Sequence, residues 1–214
     1  MERKVRGALN IPQGDITAAN AAKVTRLDLR NEWQPQMPPE TQVKDLAGIE
    51  HFISLLDLNA EFNSISDISP LAGLTSLKSL NLNANAITDI APLAGLTSLE
   101  DLSMWGNRIA DISPLAGMAR LRILRLNDSP IKDLSPLAGL TGLGSLFLGG
   151  CGIEDISALA GLTGLDCLEL NNNYIADLTA LSGMQKLDIL KLAGNPIKDY
   201  TPIEARYPQL REKD

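Results

Sequence analysis

The sequence predicts an α/β solenoid: a right-handed superhelix of short coils, with a parallel β-sheet on the concave side and 3₁₀ turns on the convex side. Three observations carry this reading. A 22-residue phrase recurs in frame along most of the 214 residues. Each copy contains a leucine alternation of period two, the mark of a short strand with one face inward. What remains of each copy has no room for a long α-helix, so the return path must be tight 3₁₀ turns. One such coil cannot bury its own leucines, and stacking is the only way to close the core.

Residues 1–23 read as a helical N-terminal cap. Val5-Arg6-Gly7-Ala8-Leu9 is amphipathic, and a short helix follows over 18–23 with Thr17 as its cap. Residues 24–54 form a degenerate first repeat, in which Val24-x-x-Leu27-x-Leu29 supplies a strand. An insertion at 31–41 interrupts it, stiffened by Pro35, Pro38 and Pro39. Residues 55–199 hold seven repeats, opened by Leu55, Leu77, Leu99, Leu121, Leu143, Leu165 and Leu187. Residues 200–214 break the pattern, bring Tyr200 and Tyr207 to the last coil, and read as a C-terminal cap.

Each part of the phrase has a mechanical reason. In Leu80-Asn81-Leu82 the leucines point to one side and the asparagine to the other. Asn85 follows where the chain turns, and a buried amide there would satisfy backbone groups of neighbouring coils. Ile87 and Ile90 point back inside. Ser69-Pro70, Ala91-Pro92, Ser113-Pro114, Ser135-Pro136 and Thr201-Pro202 then start the convex turn, read here as a hydroxyl cap followed by proline at the first helical position. Burial of each Leu or Ile contributes roughly 1.5–3 kcal/mol, so the leucines are structural. The aspartates at 67, 89, 111, 133, 155, 177 and 199 recur once per coil. Capping the turn that follows explains them better than a metal ladder.

The pattern is that of leucine-rich repeats. The stretch from Ile87 to Thr97, I-T-D-I-A-P-L-A-G-L-T, resembles the 22-residue repeats of bacterial internalin-type proteins. Gly14-Asp15-Ile16-Thr17 and Val24-Thr25-Arg26-Leu27-Asp28-Leu29 are similar to that group's N-terminal cap, and the run from Asn195 to Tyr200 resembles its final coil. The resemblance implies a bacterial protein, secreted or surface-displayed, whose concave sheet binds a partner protein. An intracellular adaptor or regulatory subunit in the cytoplasm is the alternative, and a passive spacer the third.

Bulk properties agree with a binder. The net charge of −7 disfavours nucleic acid. No stretch reaches the ~18 apolar residues of a membrane span, and no signal peptide is visible after Met1. Cys151 and Cys167 make no disulfide framework and no zinc site. Cys151 fills a turn-asparagine slot and should be buried and inert. His51 is the only histidine, and no catalytic constellation can be assembled around it. The reading is therefore non-enzymatic, monomeric, without cofactor or metal, and dependent on a protein partner.

The third, fifth and seventh positions of each coil face outward along the strands. They give small polar residues in the first coils, then Asp101, Ser103 and Trp105, then Ile123, Arg125 and Asn127, then Ser145, Phe147 and Gly149, then Cys167 and Glu169. Trp105, Ile123, Arg125, Asn127, Phe147 and Glu169 are the predicted partner-binding residues, because aromatic and arginine side chains dominate binding hot spots. The competing reading lays Trp105 flat on the sheet, stacked on Arg125. Trp33 and Met37 of the insertion form a secondary candidate loop, as insertions on rigid scaffolds often carry recognition.

Overall fold

In the computed structural model, residues 5–7, 13, 15–32 and 41–213 are described. One sheet runs the length of the molecule, with nine strands in sequence order and every neighbouring pair parallel. The strands are β1 (Arg26–Asp28), β2 (Asp57–Asn59), β3 (Ser79–Asn81), β4 (Asp101–Ser103), β5 (Ile123–Arg125), β6 (Ser145–Phe147), β7 (Cys167–Glu169), β8 (Ile189–Lys191) and β9 (Glu212–Lys213). Their register follows the repeat, so that Leu58, Leu80, Leu102, Leu124, Leu146, Leu168 and Leu190 form one inward column. That column is essentially inaccessible to solvent. The leucine-rich-repeat solenoid predicted from the period is the fold observed.

The ends differ from the interior. At the start, a one-turn helix spans Ala18–Ala21, and Thr17 Oγ1 accepts the Asn20 N–H at 3.2 Å. Much of the predicted 1–23 cap lies outside the described residues. The insertion does not separate β1 from β2, which pair in register. Asn31 Nδ2 donates to the Thr41 carbonyl across the base of that insertion and to Asn63 Oδ1. At the far end the terminal segment supplies β9, a strand that its irregular sequence did not predict. Arg206 Nε there donates to the Leu187 carbonyl at 2.8 Å, and the Tyr200 and Tyr207 rings meet at 5.6 Å.

The turn asparagines bind the coils together. Asn85 donates to the Ala60 carbonyl of the preceding coil and the Leu82 carbonyl of its own, and accepts the Ile65 N–H. Asn107 repeats this one coil on, through Leu82, Met104 and Ile87. Asn63, Asn173 and Asn195 occupy the same slot. Two coils break the ladder. Cys151 keeps a weaker version, its Sγ donating to Leu126 O at 3.4 Å, while burial pushes its thiol up to about 11. Ser129 Oγ, one coil earlier, is buried with no hydrogen-bond partner among the described residues.

The convex turns correct one detail of the sequence reading. Seven turns have the form Ser69–Leu71, with an aliphatic residue such as Ile68 at the cap in six and Tyr200 in the last, and no side-chain cap bond there. The serine lies inside the turn, and Asp67 does the capping: its Oδ1 accepts the Ser69 N–H at 2.8 Å. The bond recurs at Asp89, Asp111, Asp133, Asp155, Asp177 and Asp199. Side chains two residues ahead of an N–H suit this Asx geometry better than a hydroxyl adjacent to it. Ala158 and Ala180 stand where other coils have proline, yet their turns form, so proline is dispensable once the aspartate is in place.

These contacts predict two outcomes. Asn107→Ala should cost about 3 kcal/mol, because three buried backbone groups lose their partner, whereas Ser129→Asn should stabilise by about 1 kcal/mol by restoring a rung. Urea unfolding of both variants measures this. The second concerns acid. The backbone N–H and then the hydroxyl of the following serine hold Asp67, Asp111 and Asp155 below their ordinary value of 3.8. At Asp177 and Asp199 the threonine hydroxyl is the larger cause. A carboxyl lowered on folding stabilises above its unfolded value and loses that contribution as pH falls through the folded one. Tm should therefore fall on acidification below about pH 3.8, and Asp→Asn at these five positions should flatten that fall, since Asn keeps the bond without the charge.

Candidate functional site on the concave sheet

The outward rows of β2–β8 fall into three zones. The first spans β2–β4 and is polar. Asp57, Asn59, Ser79, Asn81, Asn83, Asp101 and Ser103, with Trp105 and Arg125 at one side, line a depression of about 350 Å³. Two of these are nearly inaccessible, Asn83 and Ser103, each 6% exposed. Ser103 Oγ donates to Asn83 Oδ1 at 2.8 Å, and the Trp105 N–H donates to the same oxygen at 3.0 Å. The Asn83 carbonyl group thereby fixes the backbone that carries Trp105.

The second zone holds most of the predicted binding residues. Arg125 pairs in register with Phe147 on one side and Ser103 on the other. Its guanidinium lies 5.1 Å from the centre of the Phe147 ring and 3.1 Å from Asp101 Oδ1. Burial raises the Asp101 carboxyl above its ordinary value, and the Arg125 charge works against that rise. Ile123 and Asn127 are half-buried beside it. Gly149 completes the zone for a steric reason: a Cβ there would stand 2.9 Å from Asn171 Oδ1 and 3.1 Å from Asn127 Nδ2.

Trp105 and Phe147 are half-buried rather than exposed, a correction to the sequence reading. They are also not side by side. Trp105 packs edge-on against Phe62, with centroids 5.9 Å apart and planes at 76°. Arg125 stacks on Phe147, not on Trp105. The reason is that Trp105 sits one row beyond the strand, where the chain is already turning, so its ring reaches past the preceding coil to Phe62, two coils back.

Phe62 was not singled out from sequence, although a signal existed. The eighth position of every coil adopts positive φ: Phe62, Ala84, Gly106, Asp128, Gly150, Asn172 and Gly194. Glycine, asparagine and aspartate tolerate that region, while a phenylalanine pays roughly 1–2 kcal/mol for it. Phe62 is the bulky exception among seven equivalent positions, and its ring braces Trp105.

The third zone is ionic. Lys191 bridges Glu169 at 3.1 Å and Glu212 at 3.2 Å, and the Glu169 hydrogen bond leads in holding the Lys191 pKa up. Glu169, predicted to contact a partner, is thus committed to an internal pair and stands apart from Trp105. Cys167 lies in the same concave zone but is buried, with its thiol pushed up to about 11, first by burial and then by Glu169 and Asp166. Trp33 and Met37 lie outside the described residues. His51 is exposed at the end of a convex turn. Among the described residues no group of three acidic, histidine or cysteine side chains is placed to hold a metal.

A family model for leucine-rich repeats matches twice, at residues 53–95 and 97–139. No match arises among curated proteins. Among solved structures, internalin C2 of Listeria monocytogenes is 30% identical, with 99% of this chain and 90% of that one covered at a TM-score of 0.91. The chain belongs to the internalin-type leucine-rich-repeat proteins. Internalin F of the same organism is 33% identical over 99% of this chain and 67% of its own, with a TM-score of 0.77. A leucine-rich-repeat protein of Leptospira interrogans shares the fold at 23% identity and a TM-score of 0.70, covering 87% of this chain and 54% of that one. Both organisms are bacteria. Among the described residues of this internalin-type chain, no helix is long and apolar enough to cross a membrane.

The Phe62–Trp105 pair yields a prediction. Phe62→Gly relieves backbone strain and removes a ring contact of about 0.5–1.5 kcal/mol, so net stability should change little. Trp105 should nonetheless become more solvent-exposed. In a Trp33→Phe background, its fluorescence should shift to longer wavelength while the melting curve stays nearly in place. An unshifted emission would mean that Phe62 does not position the indole.

Proposed function

We propose that this internalin-type protein is a non-enzymatic scaffold that grips a partner protein on its concave sheet, in the zone around Trp105, Ile123, Arg125, Asn127 and Phe147. The observation that carries this reading is the stacked Arg125–Phe147 pair, flanked by Ile123, on a surface where the repeat dictates nothing. The leucine columns face inward, so these outward residues contribute little to the core, and an arginine held over a ring is preorganised for contact. Glu169 belongs to the rim of such an interface, since its charge is already paired. The resemblance to internalins supports a secreted or surface-displayed protein, and the acidic net charge supports a partner other than nucleic acid.

Affinity capture from host-cell and bacterial extracts tests this. The parent protein is compared with a Trp105→Ala, Phe147→Ala double variant and with Tyr174→Ala, which removes a ring that is 66% exposed away from the concave strands. The double variant should lose a specifically captured protein by at least about tenfold, roughly 1.4 kcal/mol or more, while Tyr174→Ala retains it. Equal capture by all three would place the contact elsewhere, and no specific capture by any would favour a passive spacer.

A further inference from the structure

The polar depression on β2–β4 has a chemistry that a protein contact on the Arg125–Phe147 zone leaves unused. Asn83 is 6% exposed and its oxygen is doubly occupied, yet its Nδ2 has no partner among the described residues. Asn81 is half-buried: its Oδ1 accepts the Asn83 N–H at 3.1 Å, and its Nδ2 donates to nothing described. Ser79 Oγ on the same strand is likewise without a described partner, and all three residues line the depression. An amide nitrogen on a nearly buried side chain, left open only toward a depression, is a group suited to an acceptor.

The charges say what kind of acceptor. The Asp57 and Asp101 carboxylates stand at the edges, and each is already matched, Asp57 by Arg26 and Asp101 by Arg125, both at 3.1 Å. A cation would have to displace an arginine to be paired. An anion would meet two carboxylates against the single guanidinium that lines the depression. An apolar ligand would strand the open amides. The remaining class is a neutral ligand that both gives and takes hydrogen bonds, so that Asn81 and Asn83 donate to it while Asp57 and Asp101 accept from it. An extended peptide has those groups too, but peptide readers need recesses for alternate side chains, and here the apolar lining is the Trp105 ring and Leu80, which is buried in the core.

We propose that this depression binds a neutral saccharide, with hydroxyls on the Asn81 and Asn83 amides and on the Asp57 and Asp101 carboxylates. The Trp105 indole, braced by Phe62, packs against the C–H face of a sugar ring. The volume of about 350 Å³ falls in the range of small-molecule sites. The site shares Trp105 and Arg125 with the protein contact proposed above and otherwise uses different residues.

The test uses the full chain carrying Trp33→Phe, so that Trp105 is the only tryptophan. It is titrated with lactose, maltose, cellobiose, chitobiose and mannobiose. At least one should give a saturable change in Trp105 emission, and Ser79→Ala, Asn81→Ala should weaken that response at least about tenfold, whereas Tyr174→Ala leaves it intact. In the protein without the Asn81 change, side-chain amide resonances of Asn81 and Asn83 should move with the same sugar, which guards against a variant that merely misfolds. The proposal is overturned if no disaccharide gives a saturable change, or if the two amides stay unmoved. A response confined to a sulfated saccharide or to a short lysine or glycine peptide, added in parallel, also overturns it. Absence of specific protein capture by the parent protein, with saccharide binding present, would sink only the function proposed above.

Discussion

Everything in this molecule depends on the turn asparagine. A 22-residue coil ends its strand after three residues, and the backbone then leaves the sheet ladder while still buried between neighbours. Orphaned N–H and C=O groups there would each cost about 1–3 kcal/mol. One amide, donating to two carbonyls on two coils and accepting an N–H from the coil before, satisfies all of them at once. Leucine burial supplies most of the driving force, but burial is indifferent to register. The asparagine bonds require that coil follow coil at a fixed offset, and so they convert a sticky array into a single stacked structure. At Ser129 and Cys151 two successive rungs are weakened, which the intact leucine column on either side sustains.

The convex side solves the complementary problem with aspartate. Its carboxylate closes each 3₁₀ turn from two residues away, and no interior turn carries a side-chain bond at its formal cap. Proline is a convenience there, because the coils with Ala158 and Ala180 turn equally well. The acidic net charge of the protein is partly a by-product of this device repeated along the array. Clustered carboxylates in a repeat protein are therefore poor grounds for a metal site.

With inner face and turns so constrained, the concave rows are where the sequence is free, and they are used unevenly. A polar hollow, a cation stacked on a ring, and an ion-paired end succeed one another along the sheet. The αL position links the first two zones. Most coils fill it with glycine, asparagine or aspartate, but Phe62 accepts the strain and places a ring against Trp105. Of the seven equivalent positions only Phe62 and Ala84 carry a residue unsuited to this region, and a bulky ring kept there at Phe62 marks a local requirement rather than a demand of the fold.

The sequence by itself determined the solenoid, the strand positions, the inward leucines, the asparagine and aspartate columns and the burial of Cys151. All of these follow from a short period, because a repeated residue must occupy a repeated environment. The irregular ends were less legible: β9 comes from a segment with no repeat signature, and it forms only because β8 presents an open edge. The outward rows were legible as positions but not as contacts. Arg125 chose Phe147 over Trp105, Glu169 was taken by Lys191, and Trp105 turned back to Phe62. The open amides of Asn81 and Asn83 could be seen only once their oxygens were found occupied. Side-chain pairing on a face without a dictated partner depends on distances between coils and on small differences in reach, and these exist only in the stacked structure.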